Sequence, residues 1–138
     1  MNWFLWALLS AFFAGLTAIL AKVGVENINS NLATAIRTLV IAGFALPVAF
    51  FTNAQPLSTI GRRTWIFLVL SGLATGLSWL CYFRALQLGE ASRVAPVDKL
   101  SVVVAIVLAA LFLGEHLTWR QSFGGLFICV GAALLAQA

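Results

Sequence analysis

Five apolar runs, each about twenty residues long and separated by short polar breaks, leave this chain few ways to fold. A hydrocarbon core of ~30 Å is crossed by roughly 20 residues of helix rising 1.5 Å each. The runs cover 3–21, 32–51, 65–88, 94–113 and 119–136. Strands of a membrane β-barrel would be about half as long and would alternate apolar and polar residues, which these do not. The expectation is an all-α integral membrane protein with five transmembrane helices in a single domain over 1–138, and the lipid bilayer as its main partner. Composition agrees: 62% of residues are hydrophobic and 9% charged, with a mean hydropathy of +1.05. No soluble core could hide so much apolar surface.

The breaks are recognisable by residue type. Lys22 closes the first run, ahead of Glu26-Asn27-Ile28-Asn29-Ser30-Asn31. Pro47 lies near the far end of the second, before Thr52-Asn53-Ala54-Gln55-Pro56. Arg62-Arg63 precede the third, and Gly89-Glu90-Ala91-Ser92-Arg93 close it. A fourth helix starting at 94 would place Pro96 in its first turn, where a missing N–H does no harm. The first run carries no basic residues before it and has Lys22 on the wrong side for a secretion signal, so it reads as a helix rather than a cleaved leader.

Little room is left for catalysis. Cys81 and Cys129 fall inside apolar runs and read as free thiols, and Glu115-His116 forms a tight loop without a second His. No nucleophile–base pair or metal-ligand set is present in the sequence, so neither an enzyme nor a bound cofactor or metal is expected. The net charge of +4 is scattered singly apart from Arg62-Arg63, which excludes nucleic acid as a partner.

Basic residues are nearly balanced across the two membrane sides. Arg62, Arg63 and Arg120 fall on the N-terminal side, Lys22 and Arg93 on the other, and Arg37, Arg84 and Lys99 near helix ends tip the balance back. A single orientation set by the first helix is one reading. The other is dual topology, in which copies insert both ways and pair antiparallel, completing the inverted repeat that underlies alternating access in many transporters.

Charges inside the spans are expensive, about 2.5–3.5 kcal/mol at mid-helix, and mark candidate functional positions. Here they are Arg37, Arg84, Asp98 and Lys99. Asp98 and Lys99 are expected to point about 100° apart on a helix, so that each needs a partner elsewhere, with Asp98 pairing Arg37 or Arg84. Snorkelling to the headgroups is the alternative, above all for Arg84 and Lys99. A surplus cation facing a cavity would favour an anionic or zwitterionic solute. Trp79 and Tyr82 offer an aromatic cavity wall or a lipid-facing pair, and Gly72 and Gly76, with Pro96, are candidates for gating or close helix packing.

Ala95-Pro96-Val97-Asp98-Lys99-Leu100-Ser101 running into Leu113-Gly114-Glu115-His116-Leu117-Thr118, then Gly124-Gly125 and Gly131, resembles the EamA domain of the drug/metabolite transporter superfamily. Ala21-Lys22-Val23-Gly24, Arg37-Thr38 and Tyr82-Phe83-Arg84-Ala85-Leu86 extend the resemblance over essentially the whole chain. Most of that family carries two such domains in tandem, whereas this chain is similar to its five-helix branch. The resemblance implies an antiparallel homodimer, with helices one to four lining a central cavity and helix five peripheral. It also implies a secondary transporter, in the export direction, of a small polar metabolite or amino-acid-like solute, in a prokaryotic plasma membrane. The competing expectation is a non-transporting membrane subunit that stabilises a partner.

Overall fold

The computed structural model describes residues 2–52 and 55–137. Asn53 and Ala54, part of the break expected after the second helix, lie outside the described residues. Helices and one 3-10 turn account for the regular structure: α1 Trp3–Gly24, α2 Ser30–Phe51, η1 Leu57–Thr59, α3 Arg62–Leu88, α4 Ala91–Asp98, α5 Leu100–Phe112 and α6 Trp119–Gln137. Taken as one segment, α4 and α5 form the fourth of five helices long and apolar enough to cross a membrane. Among the described residues the protein is therefore all-helical, with five helices able to span, as in a multi-pass membrane protein.

Most boundaries fall within three residues of those expected, and the shifts have local causes. α2 starts two residues early because Asn29 caps it: its Oδ1 accepts from the amides of Asn31 at 2.8 Å and Leu32 at 3.4 Å. Ser30 and Asn31, read as loop for their polarity, thus belong to the first helical turn, where polar residues satisfy otherwise orphaned amides. α4 likewise begins at Ala91, with Glu90 before it and a Glu90–Arg93 ion pair of 3.3 Å across its first turn.

That earlier start relocates Pro96. It stands in the helix interior rather than in the first turn, so the Ser92 carbonyl has no amide to accept from at the usual helical spacing. Three residues later the ladder tightens. The Lys99 amide donates to Pro96 O at 3.1 Å and the Val102 amide to Lys99 O at 3.0 Å, both 3-10 bonds, and the span is divided at Lys99. α2 contains Pro47 and remains a single helix.

The link between α5 and α6 is a stop followed by a start. Gly114 has φ +66°, a left-handed conformation that glycine adopts without penalty, and the Glu115 amide turns back to Ala109 O at 3.3 Å. Thr118 then opens α6 with a capping box. The Gln121 amide donates to Thr118 Oγ1 at 3.3 Å, and Gln121 Oε1 accepts from the Thr118 amide at 2.8 Å.

The chain divides into two compact units, one of Met1–Val23 with Leu88–Ala138 and one of Gly24–Gln87. In the first, α6 packs against α4 and α5, with Gly125 and Ala132 buried on α6 and Ala18 buried on α1. The Lys22 ammonium donates to Gly89 O at 3.0 Å, tying the end of α1 to the α3–α4 link. In the second, Val25, Ser30, Ala33, Thr34, Phe83 and Leu86 are buried, all near the start of α2 or the end of α3. At most 11% of any span's most apolar window is buried, so the remaining apolar surface must meet lipid or protein.

Candidate functional site

The charge set deepest in the Gly24–Gln87 unit is Arg37, roughly 10 Å from the start of α2 at 1.5 Å per residue. Its surroundings on α2 offer little: Thr34 and Thr38 return their hydroxyls to the carbonyls of Ser30 and Thr34, at 2.9 and 2.8 Å. α3 supplies the partners. The guanidinium carbon sits over the Trp79 ring, 4.4 Å from its centre, and 5.4 Å from the centre of Phe83. Trp79 and Phe83 are four residues apart and so share one face of α3. Tyr82 lies within electrostatic reach of the same guanidinium.

A cation over two rings is stabilised by their negative faces, which contribute about 0.5–2 kcal/mol depending on desolvation. Rings accept nothing from the in-plane N–H groups, and among the described residues the Arg37 side chain makes no hydrogen bond. Glu26, the one carboxylate in this unit, belongs to the α1–α2 loop. Arg37 is thus a half-buried cation beside two rings and without a hydrogen bond among the described residues, and a guanidinium can hold a carboxylate by two parallel N–H···O bonds.

Arg84 and Gln87 occupy the last turns of α3. Arg84 Nη1 donates to Gln87 Oε1 at 3.0 Å, while Gln87 Nε2 donates to Ile28 O at 2.6 Å and Val25 O at 3.0 Å. One amide therefore fixes the α1–α2 loop and orients Arg84 at the same time. Gln87 was not legible as important, since a glutamine near a helix end resembles any solvated residue. Phe83 stands out in the sequence only as part of the Tyr82–Leu86 stretch of the family resemblance, with nothing to mark it as a neighbour of Arg37. The signal that could have found both is the i, i+4 spacing of Trp79, Phe83 and Gln87 on one face.

Asp98 and Lys99 lie in the other unit, at the division between α4 and α5. The expectation that adjacent residues could not pair is corrected here: Lys99 Nζ is 3.5 Å from Asp98 Oδ2. The long lysine stem folds back across the interrupted turn. Asp98 is also deeper than a helix starting at 94 would make it, about 10 Å from Ala91. Pro96 precedes the pair directly. Gly72 and Gly76, by contrast, have open space where a side chain would project, with no atom within 4 Å of the position a Cβ would take.

Comparison with known proteins matches the model of the EamA-like transporter family to residues 1–137. An uncharacterized transporter encoded in the cobO 3′ region of a Sinorhizobium species is 58% identical over 136 residues, covering 98% of this chain and 96% of its own length. The uncharacterized transporter YxxF of Bacillus subtilis is 30% identical over 131 residues, 94% of this chain but only 41% of that one. An uncharacterized protein of Methanocaldococcus jannaschii is 26% identical over 129 residues, 94% of this chain and 92% of its own length. No solved structure matches.

Proposed function

Because the chain belongs to the EamA-like transporter family, we propose that it is a secondary transporter exporting a small anionic or zwitterionic metabolite, such as an amino-acid-like solute, by alternating access. The observation that carries this reading is Arg37: a cation inside a span, set against the rings of Trp79 and Phe83 and making no hydrogen bond among the described residues. Family membership argues for transport rather than catalysis. Trp79 and Tyr82 serve as the aromatic wall beside Arg37. The Asp98–Lys99 pair contributes a second charged position, at the interruption between α4 and α5.

The functional unit in this proposal is an antiparallel homodimer. A five-span unit has no inverted partner of its own, and the near-balance of basic residues across the membrane sides permits both orientations. The length difference among relatives supports the same reading. The Bacillus transporter has room for a second unit of this size in one polypeptide, whereas the Sinorhizobium and Methanocaldococcus proteins are close to this chain in length. Gly72 and Gly76, open in the single chain, would then face the second copy or permit α3 to shift. The host membrane would be a prokaryotic plasma membrane, the relatives coming from two bacteria and an archaeon.

Two measurements test this. Cells expressing the protein should release one or a few carboxylate-bearing solutes above control cells, and Arg37→Gln should abolish the difference at equal membrane abundance. No difference in any solute would favour the non-transporting subunit. For topology, single cysteines at Ser58 and, separately, Asn29 in a Cys81→Ala, Cys129→Ala background should each label from outside at about half occupancy. Labelling at one position alone would end the antiparallel homodimer.

A further inference from the structure

A recess of about 570 Å³ opens beside the first turn of α2 and the last third of α3, walled by Asn29, Ser30, Asn31, Leu80, Cys81 and Arg84. Two observations distinguish it from a chance gap between helix ends. The first is that Arg84 is held in place, through the bond to Gln87 and from there to the carbonyls of Val25 and Ile28. That arrangement engages one of the five guanidinium N–H donors and leaves the others for a ligand.

The second is Ser30. Its residue is only 6% exposed, yet its hydroxyl has no hydrogen-bond partner among the described residues; only its backbone carbonyl is used, by Thr34. No fully enclosed side-chain oxygen or nitrogen among the described residues lacks a partner, so the small accessible part of Ser30 includes its hydroxyl, and the recess it lines is where that hydroxyl is reached. A hydroxyl this nearly enclosed finds its acceptor only in whatever fills the recess, water or a ligand.

We infer that this recess binds a phosphate-type oxyanion, with Arg84 as the cation and the Ser30 hydroxyl as a further donor. No carboxylate lines it, so nothing repels an anion. Arg84 lies roughly 6 Å from the end of α3, near headgroup depth, so the phosphate can belong to a phospholipid or to a free ion or phosphorylated solute. The site stands independently of the transport reading and of the Arg37 position.

Cys81 lines the same recess and reports its occupancy. In a Cys129→Ala protein purified in a phosphate-free maltoside detergent, the rate of Cys81 alkylation is measured with added inorganic phosphate, against chloride of equal ionic strength. It is measured in parallel with a short-chain phosphatidylglycerol against the diacylglycerol of the same chains. Alkylation should slow at least about threefold at saturation, because only the vacant fraction reacts, and Arg84→Gln should remove the protection while Arg84→Lys keeps part of it. Protection by inorganic phosphate identifies a free-ion site, and protection by phosphatidylglycerol alone a lipid-headgroup site. Absence of protection by either in the unsubstituted recess, or protection that persists in a folded Arg84→Gln protein, overturns the assignment.

Discussion

α2 and the α4–α5 span each carry a proline in the helix interior and a charge about 10 Å from the start, yet they treat these features oppositely. α2 stays continuous through Pro47, and its charge, Arg37, finds two aromatic rings on the neighbouring helix. The other span divides three residues after Pro96, and its charges find one another. A proline alone therefore does not divide a span in this protein. What differs is the sequence beside it: Pro47 is followed by Val48-Ala49-Phe50, Pro96 by Val97-Asp98-Lys99. In α2 a neighbouring helix meets the charge, whereas at the interruption adjacent side chains meet locally.

Substitutions at three positions would break or sharpen this contrast. The largest effect is expected from Pro96→Ala, which restores the amide that the Ser92 carbonyl lacks and can stabilise the span by up to about 3 kcal/mol, the difference between proline and alanine in a helix interior. Resistance to thermal unfolding in detergent should rise and transport should slow if the interruption is what moves. An unchanged unfolding temperature would show that the interruption is set by Asp98-Lys99 and not by the proline.

Trp79→Leu comes next. It keeps the apolar character of α3 but removes the stacking surface under Arg37, with an expected loss of about 1–2 kcal/mol. Trp79→Phe should recover part of it, and chemical denaturation of the two variants side by side reads the difference. Equal stability of Leu and Phe variants would mean that Phe83 alone holds the guanidinium.

The smallest effect on stability belongs to Asp98→Asn. The pair is long at 3.5 Å and its side chains are 35% and 55% exposed, so its loss should cost less than about 1 kcal/mol. Flux should nevertheless fall, because an uncompensated Lys99 charge remains at the interruption. A large loss of folded protein with normal residual flux per molecule would instead make the pair a structural strut.

Much of the fold could be read from residue order, and the misses share a cause. The five spans follow from apolar length alone, but reading polarity as the end of a helix leaves Ser30 and Asn31, and Ala91 beside Glu90, in loops. Asn29 shows the opposite, since its side chain caps the first turn of α2, where polar residues belong. Leu113-Gly114-Glu115 and Thr118, seen in the sequence as a family mark, have a mechanical meaning: a left-handed stop and a capping box. Arg37 was legible as an anomaly, an arginine in a lipid-length run. Its rings were not, because Trp79 and Phe83 lie some forty residues away.

By itself, the sequence determined the solvent and the number of crossings, because transfer of apolar residues into hydrocarbon is additive along the chain and needs no knowledge of neighbours. It also determined which side chains would be costly there. Only the tertiary structure decided how each cost is met: rings over Arg37, Lys99 folded onto Asp98, and Gln87 forked between two carbonyls with Arg84 on its oxygen. Those solutions depend on distances of 3 to 5 Å between residues that are far apart in sequence or turned by local backbone geometry, and such distances are set by packing rather than by composition.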